Sequence, residues 1–111
     1  MESREWYSVK CIFEHNDLAR GAEATVYEER VVVLQAASLT DAIERGEAEA
    51  QEYVTALGSD SVCYAGFISA YSTGEDELAD RMEVYSLMRE TTLSREEFLT
   101  HYHDDGTERT Q

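Results

Sequence analysis

Three histidines, two cysteines and one short run of charged residues are the side chains best suited to chemistry in this chain. His101 and His103, with Asp104 and Asp105, form a His-x-His-Asp-Asp cluster of metal-ligand types. On a helix, residues two apart do not share a face, whereas Glu97 and His101, four apart, do. The cluster therefore reads as an exposed, solvated helix end, and no metal is assigned to it. Cys11 and Cys63 fall inside apolar, strand-like runs rather than electropositive turns, which suits buried thiols better than nucleophiles. The chain has no Gly-rich phosphate loop, no Gly-x-Ser-x-Gly elbow, no Cys-x-x-Cys pair and no His-Glu-x-x-His helix. No catalytic residue and no cofactor follow from these residues.

The second group is Glu28-Glu29-Arg30, just before an apolar run, together with Lys10, the sole lysine. Charged residues within strands face water or pair. Adjacent strands would set Lys10 against Glu28 or Glu29, and Arg30 against Glu14, as cross-strand ion pairs. The functional alternative is a small polar pocket edged by Trp6, Tyr27 and Tyr85, a mixture suited to a polar ligand or peptide. Glu28 and Glu29 point to opposite faces of a strand, so they cannot act together as an acid/base pair.

The elements that would carry these residues follow from periodicity. Trp6 to Phe13 alternates, with Tyr7, Val9, Cys11 and Phe13 on one face and Ser8 and Lys10 on the other, which predicts a half-buried strand. The polar stretch His15 to Ala24 reads as a hairpin connection. A second strand is expected from about Thr25 to Ala36, and its Val31-Val32-Val33-Leu34 run points to cover on both faces. Leu39, Ala42, Ile43, Gly46, Ala50, Tyr53, Val54 and Leu57 recur at helical spacing. Ser38 caps that helix and Gly58 ends it. Val62 to Tyr71 predicts a third strand with a bulge or close packing at Gly66. After an acidic loop, Met82 to Arg89 predicts a fourth strand. Ser94 and Glu97 then form a capping box opening a short helix, which is expected to end near Asp105-Gly106.

The expected fold is a single α+β domain over residues 1–111, in ββαββα order. It would have a four-stranded, mainly antiparallel sheet, the long amphipathic helix on one face, a short C-terminal helix and a disordered tail from about 106 to 111. Strands apolar on both faces need a second cover. The C-terminal helix offers only Phe98, Leu99 and Tyr102, so either that helix or a second copy of the chain must supply it.

Composition narrows the partners. Nine basic and twenty-four acidic residues give a net charge of −15, which repels phosphate backbones and excludes autonomous nucleic-acid binding as an expectation. No apolar run approaches a membrane span. The charged start Met1-Glu2-Ser3-Arg4-Glu5 is unlike a signal peptide, and two cysteines do not make a disulfide framework, so the cytoplasm is the expected location.

Trp6-Tyr7-Ser8-Val9-Lys10, Tyr27-Glu28-Glu29-Arg30-Val31, the Ala37-Ser38 entry to an Ala/Glu-rich helix reaching Tyr53, and Glu83-Val84-Tyr85-Ser86 together resemble the bacterial family called domain of unknown function 4288. The resemblance spans Trp6 to about Arg89. It implies a small stand-alone bacterial protein and brings no activity, cofactor or catalytic residue. It also implies that Trp6, Lys10, Glu29, Arg30 and Glu83 recur in the family. The candidate binding cluster is therefore Trp6, Lys10, Glu28, Glu29, Arg30, Glu83 and Tyr85. A binding or interaction domain, homodimeric, is expected over an enzyme. The alternatives are an immunity-type or inhibitor protein that masks a basic partner, and a small enzyme with its site at a subunit interface.

Overall fold

The computed structural model describes residues 3–16, 24–58 and 60–103. Three strands form one antiparallel sheet: β1 (Glu5–His15), β2 (Val26–Ala36) and β3 (Val62–Ser72), in the order β2-β1-β3. Two helices complete the fold, α1 (Leu39–Leu57) between β2 and β3, and α2 (Arg95–Tyr102) near the C-terminus. The β1–β2 connection expected at His15 to Ala24, the tail from 106, and Asp104 and Asp105 fall wholly or partly outside the described residues.

Alternation in β1 decides which side chains form the core. Tyr7, Val9, Cys11 and Phe13 are all buried, Phe13 completely, and share a cluster with Ala36, Ala42 and Ala50. The buried stripe of α1 is made of small residues, Ala42, Gly46 and Ala50, one turn apart. A Cβ on Gly46 would lie 2.6 Å from Val9 Cγ1 and 2.8 Å from Ile68 Cδ1. Helix and sheet meet there at backbone distance.

The caps of α1 are those its sequence specifies. Ser38 Oγ accepts from the Asp41 amide at 3.1 Å, and Asp41 Oδ2 accepts from the Ala37 amide at 2.9 Å. Gly58 closes the helix in the left-handed region at φ 63°. The expected irregularity at Gly66 is also present. Between Cys11↔Ile68 and Phe13↔Tyr64 the register shifts, and Gly66 adopts φ 83°.

Three expectations need correction. Met82 to Arg89 joins no ladder, so the sheet has three strands among the described residues, and the order is ββαβα. Tyr85 instead contacts Tyr71 at 6.3 Å between ring centres and receives Lys10 Nζ over its ring at 5.4 Å. Tyr71 and Lys10 occupy the sheet face away from α1, so this segment crosses that face rather than extending the edge. The bulge at Gly66 breaks the regularity an edge partner for β3 would need. Cys63, expected to be buried, is exposed opposite Glu14, whereas Cys11 is buried on the α1 side, and both thiols are free. Arg30 pairs not with Glu14 but with Glu49 of α1, because its parity matches Val32 and Leu34 and directs it toward the helix.

Gly46→Ala is expected to destabilise the fold by about 1–2 kcal/mol. Overpacking against the rigid Val9 costs roughly 1–3 kcal/mol and outweighs a helix-propensity gain of about 1 kcal/mol. A urea titration of the two proteins measures the difference.

Candidate functional site

Six of the seven residues singled out from sequence divide between the two faces of the sheet, and Glu83 lies on neither. On the α1 side, Glu28 and Arg30 project from β2 toward Tyr53 and Glu49 of the helix. The Tyr53 hydroxyl donates to Glu28 Oε1 and Oε2 at 2.9 and 3.0 Å. His15 Nε2 lies 2.8 Å from Glu28 Oε1, with the carboxylate as acceptor. Arg30 Nη1 donates to Glu49 Oε1 at 2.5 Å, and its guanidinium carbon lies 3.9 Å from the centre of the Tyr53 ring. Tyr53 in turn meets Phe13 edge-on at 4.9 Å. The sequence reading missed His15, Tyr53 and Glu49 as members of this group. The parity of His15 and Arg30, and the place of Glu49 three residues after Gly46, were the signals available.

Electrostatics follow from that geometry. The hydrogen bond to Glu49 pushes the Arg30 guanidinium up. Burial, then the bond to Glu28, raises the Tyr53 phenol. Nearby, burial pushes the Tyr64 phenol up to about 12, with Cys11 and Glu47 adding to the shift. Burial likewise raises the Cys11 thiol, which leaves it protonated and a poor nucleophile. Every charged group here has a partner inside the chain. Chemically the network ties β2 to α1.

On the opposite face, Lys10 Nζ donates to Glu29 Oε1 at 3.2 Å under the Tyr85 ring. Trp6 is half-buried on the same face, its amide donating to the Glu75 carbonyl at 2.8 Å. Glu83 is exposed and joins neither group. Around this ion pair the face is apolar and largely bare: Tyr27 is 61% exposed, Val31 50%, Val33 43% and Phe67 51%. Strand register sets Tyr27, Val31 and Val33 opposite Glu14, Lys10 and Ser8, all pointing away from the helix. Ser8 on this face is buried, and Tyr85 lies over Lys10 and Tyr71, whereas Tyr27, Val31 and Val33 of β2 stay exposed. A shallow groove of about 520 Å³ beside Arg4, Glu5, Ala37 and Glu75 adjoins the Trp6 end of this face. Among the described residues, no group of three or more His, Cys, Asp or Glu is placed to hold a metal ion. No helix among the described residues is long and apolar enough to cross a membrane.

A family model described as Domain of unknown function (DUF4288) matches residues 6–86. The chain belongs to that family. The DUF4288 match contains the sheet from Trp6 onward, α1 and Tyr85, and ends before α2. No curated protein and no solved structure matches this DUF4288 chain.

The two adjacent glutamates give a direct test of the face assignment. Glu28→Ala leaves the Tyr53 hydroxyl and the His15 ring nitrogen without their acceptor and is expected to cost about 2–3 kcal/mol. Glu29→Ala removes one exposed ion pair and is expected to cost under about 1 kcal/mol. Urea midpoints measured side by side check the ranking.

Alkaline pH tests the buried phenols. In the unfolded chain tyrosines release protons near 10, whereas folded Tyr64 holds its proton to about 12. The stability linked to Tyr64 is thus complete below pH 10 and falls as pH rises toward about 12. Tyr64→Phe is expected to flatten that decline, as read by urea unfolding at pH 9 and pH 11.

Proposed function

We propose that this DUF4288 domain is a binding domain whose working surface is the sheet face opposite α1, and that the face holds a second copy of the chain. The observation that carries this reading is the bare apolar surface of Tyr27, Val31, Val33 and Phe67. An antiparallel sheet can leave one face in water, but that face then carries polar residues. Here β2 places valines and a tyrosine on it, with Glu29 as the charged exception. Contiguous exposed apolar surface on a small domain marks an interaction site. The free Lys10–Glu29 pair at its centre supplies an orienting polar contact of the kind that fixes register in interfaces.

Catalysis is the weaker reading. The titratable residues His15, Glu28, Arg30, Glu49 and Tyr53 on the α1 side are bonded to one another. The free, exposed thiol of Cys63 fits a reducing compartment such as the cytoplasm.

Sedimentation equilibrium at micromolar concentration is the test. The wild-type chain is expected to sediment at twice its chain mass, and Val31→Glu with Val33→Glu at the single-chain mass with an unchanged far-ultraviolet circular dichroism spectrum. A wild-type protein that stays at single-chain mass up to 100 μM rules the reading out.

A further inference from the structure

We infer that the segment following Tyr85 is an exchange arm: α2 and its leading strand-like stretch dock on the open sheet face of a second copy, reciprocally. The inference rests on the self-association proposed above and names the contact that makes it.

Two incomplete surfaces on one chain point to each other. α2 contacts none of β1, β2, β3 or α1 and buries no residue. A free helix of eight residues is marginal in water even with good helix formers. Yet this one carries a full capping box, Ser94 Oγ accepting from the Glu97 amide at 3.2 Å and Glu97 Oε1 accepting from the Ser94 amide at 3.3 Å. Its Tyr102 ring also lies under Arg89, 4.6 Å from the guanidinium carbon. The helix is shaped, but among the described residues none of the other strands or helices packs on it.

The arm's apolar side chains face water. Met88 is 92% exposed, Leu87 56%, Leu99 47% and Tyr102 41%. The described residues are correspondingly extended, with a Cα radius of gyration of 16.5 Å where a compact domain of this size has about 13 Å. Together with Tyr27, Val31, Val33 and Phe67 of the face, these side chains expose on the order of 800 Å² per chain, about what each partner of a standard-size interface buries.

The occupant is a second copy on two grounds. Tyr85 is anchored over Lys10 and Tyr71, and from there the chain leaves its own sheet instead of turning back across β2. Charge also permits the pairing. Residues 86–103 hold Arg89 and Arg95 against Glu90, Glu96 and Glu97, a net 2 − 3 = −1 in a chain of −15. The arm thus carries little of the negative charge by which a second acidic copy is repelled. Reciprocal docking closes as a two-fold dimer.

Mixing separates exchange from other modes of association. The face variant carries Val31→Glu and Val33→Glu, and the arm variant carries Leu87→Glu and Leu99→Glu. Circular dichroism and thermal unfolding confirm that each is folded. If the face variant does not fold, Phe67→Ser takes its place, and the arm variant leaves the core untouched. Each variant alone is expected to sediment as a monomer. An equimolar mixture is expected to dimerise, at least tenfold more weakly than wild type, because the face variant's intact arm meets the arm variant's intact face. If the arm variant dimerises like wild type, the copies pair face to face; exchange is then overturned while self-association stands. A mixture that stays monomeric also overturns exchange, and a monomeric wild type overturns both.

Discussion

Val9 touches α1 where Gly46 has no side chain, and most of the architecture depends on that contact. With Ala42 and Ala50 on the same stripe, the helix sits close enough that Tyr53, Glu49 and Glu47 at its margins reach side chains on β1, β2 and β3. A bulkier stripe would hold the helix off the sheet, and the Arg30–Glu49 and Tyr53–Glu28 bonds would be out of range. Close approach by small residues thus turns a packing contact into a polar one. Among the described residues the opposite face has no comparable cover, because their one long helix is committed to one side.

Neighbouring residues on β2 therefore live in different surroundings. Glu28 and Arg30 are held by hydrogen bonds between strand and helix, whereas Glu29 and Val31 meet solvent beside Lys10. The pleat makes this separation, since successive side chains alternate. A run that looks like one charged cluster in the chain is two half-clusters back to back, one given to folding and one to the open surface.

Much of this was readable from residue order. Ser38 and Gly58 bound α1 as its spacing indicates, and Ser94 with Glu97 opens α2 through reciprocal bonds. Alternation in β1 names the core correctly, and Gly66 marks the bulge. What failed depended on tertiary position. Met82 to Arg89 has strand-like composition, yet strand preference is decided by the available neighbours, and Tyr85 found Lys10 and Tyr71 across a face instead of backbone at an edge. Adjacency in a ladder suggests Glu14 for Arg30, but ladder neighbours must share parity, and Glu14 points the other way. The Val31-Val32-Val33-Leu34 run points to cover on both faces, yet among the described residues Val31 and Val33 stay exposed on one of them.

The outer margin of β2 has a further consequence. Among the described residues no strand neighbours its eleven residues on that side, and the edge is a template onto which another extended segment could add. Valine-rich edges of that kind are where fibrillar stacking begins. Here Glu28, Glu29 and Arg30 interrupt the run, and in-register stacking would set carboxylate upon carboxylate at every layer. The surplus of negative charge across the molecule adds to that repulsion. The acidity of this domain thus works as a guard against runaway polymerisation, strongest in dilute salt at neutral pH and weakest where protons or counter-ions quench it.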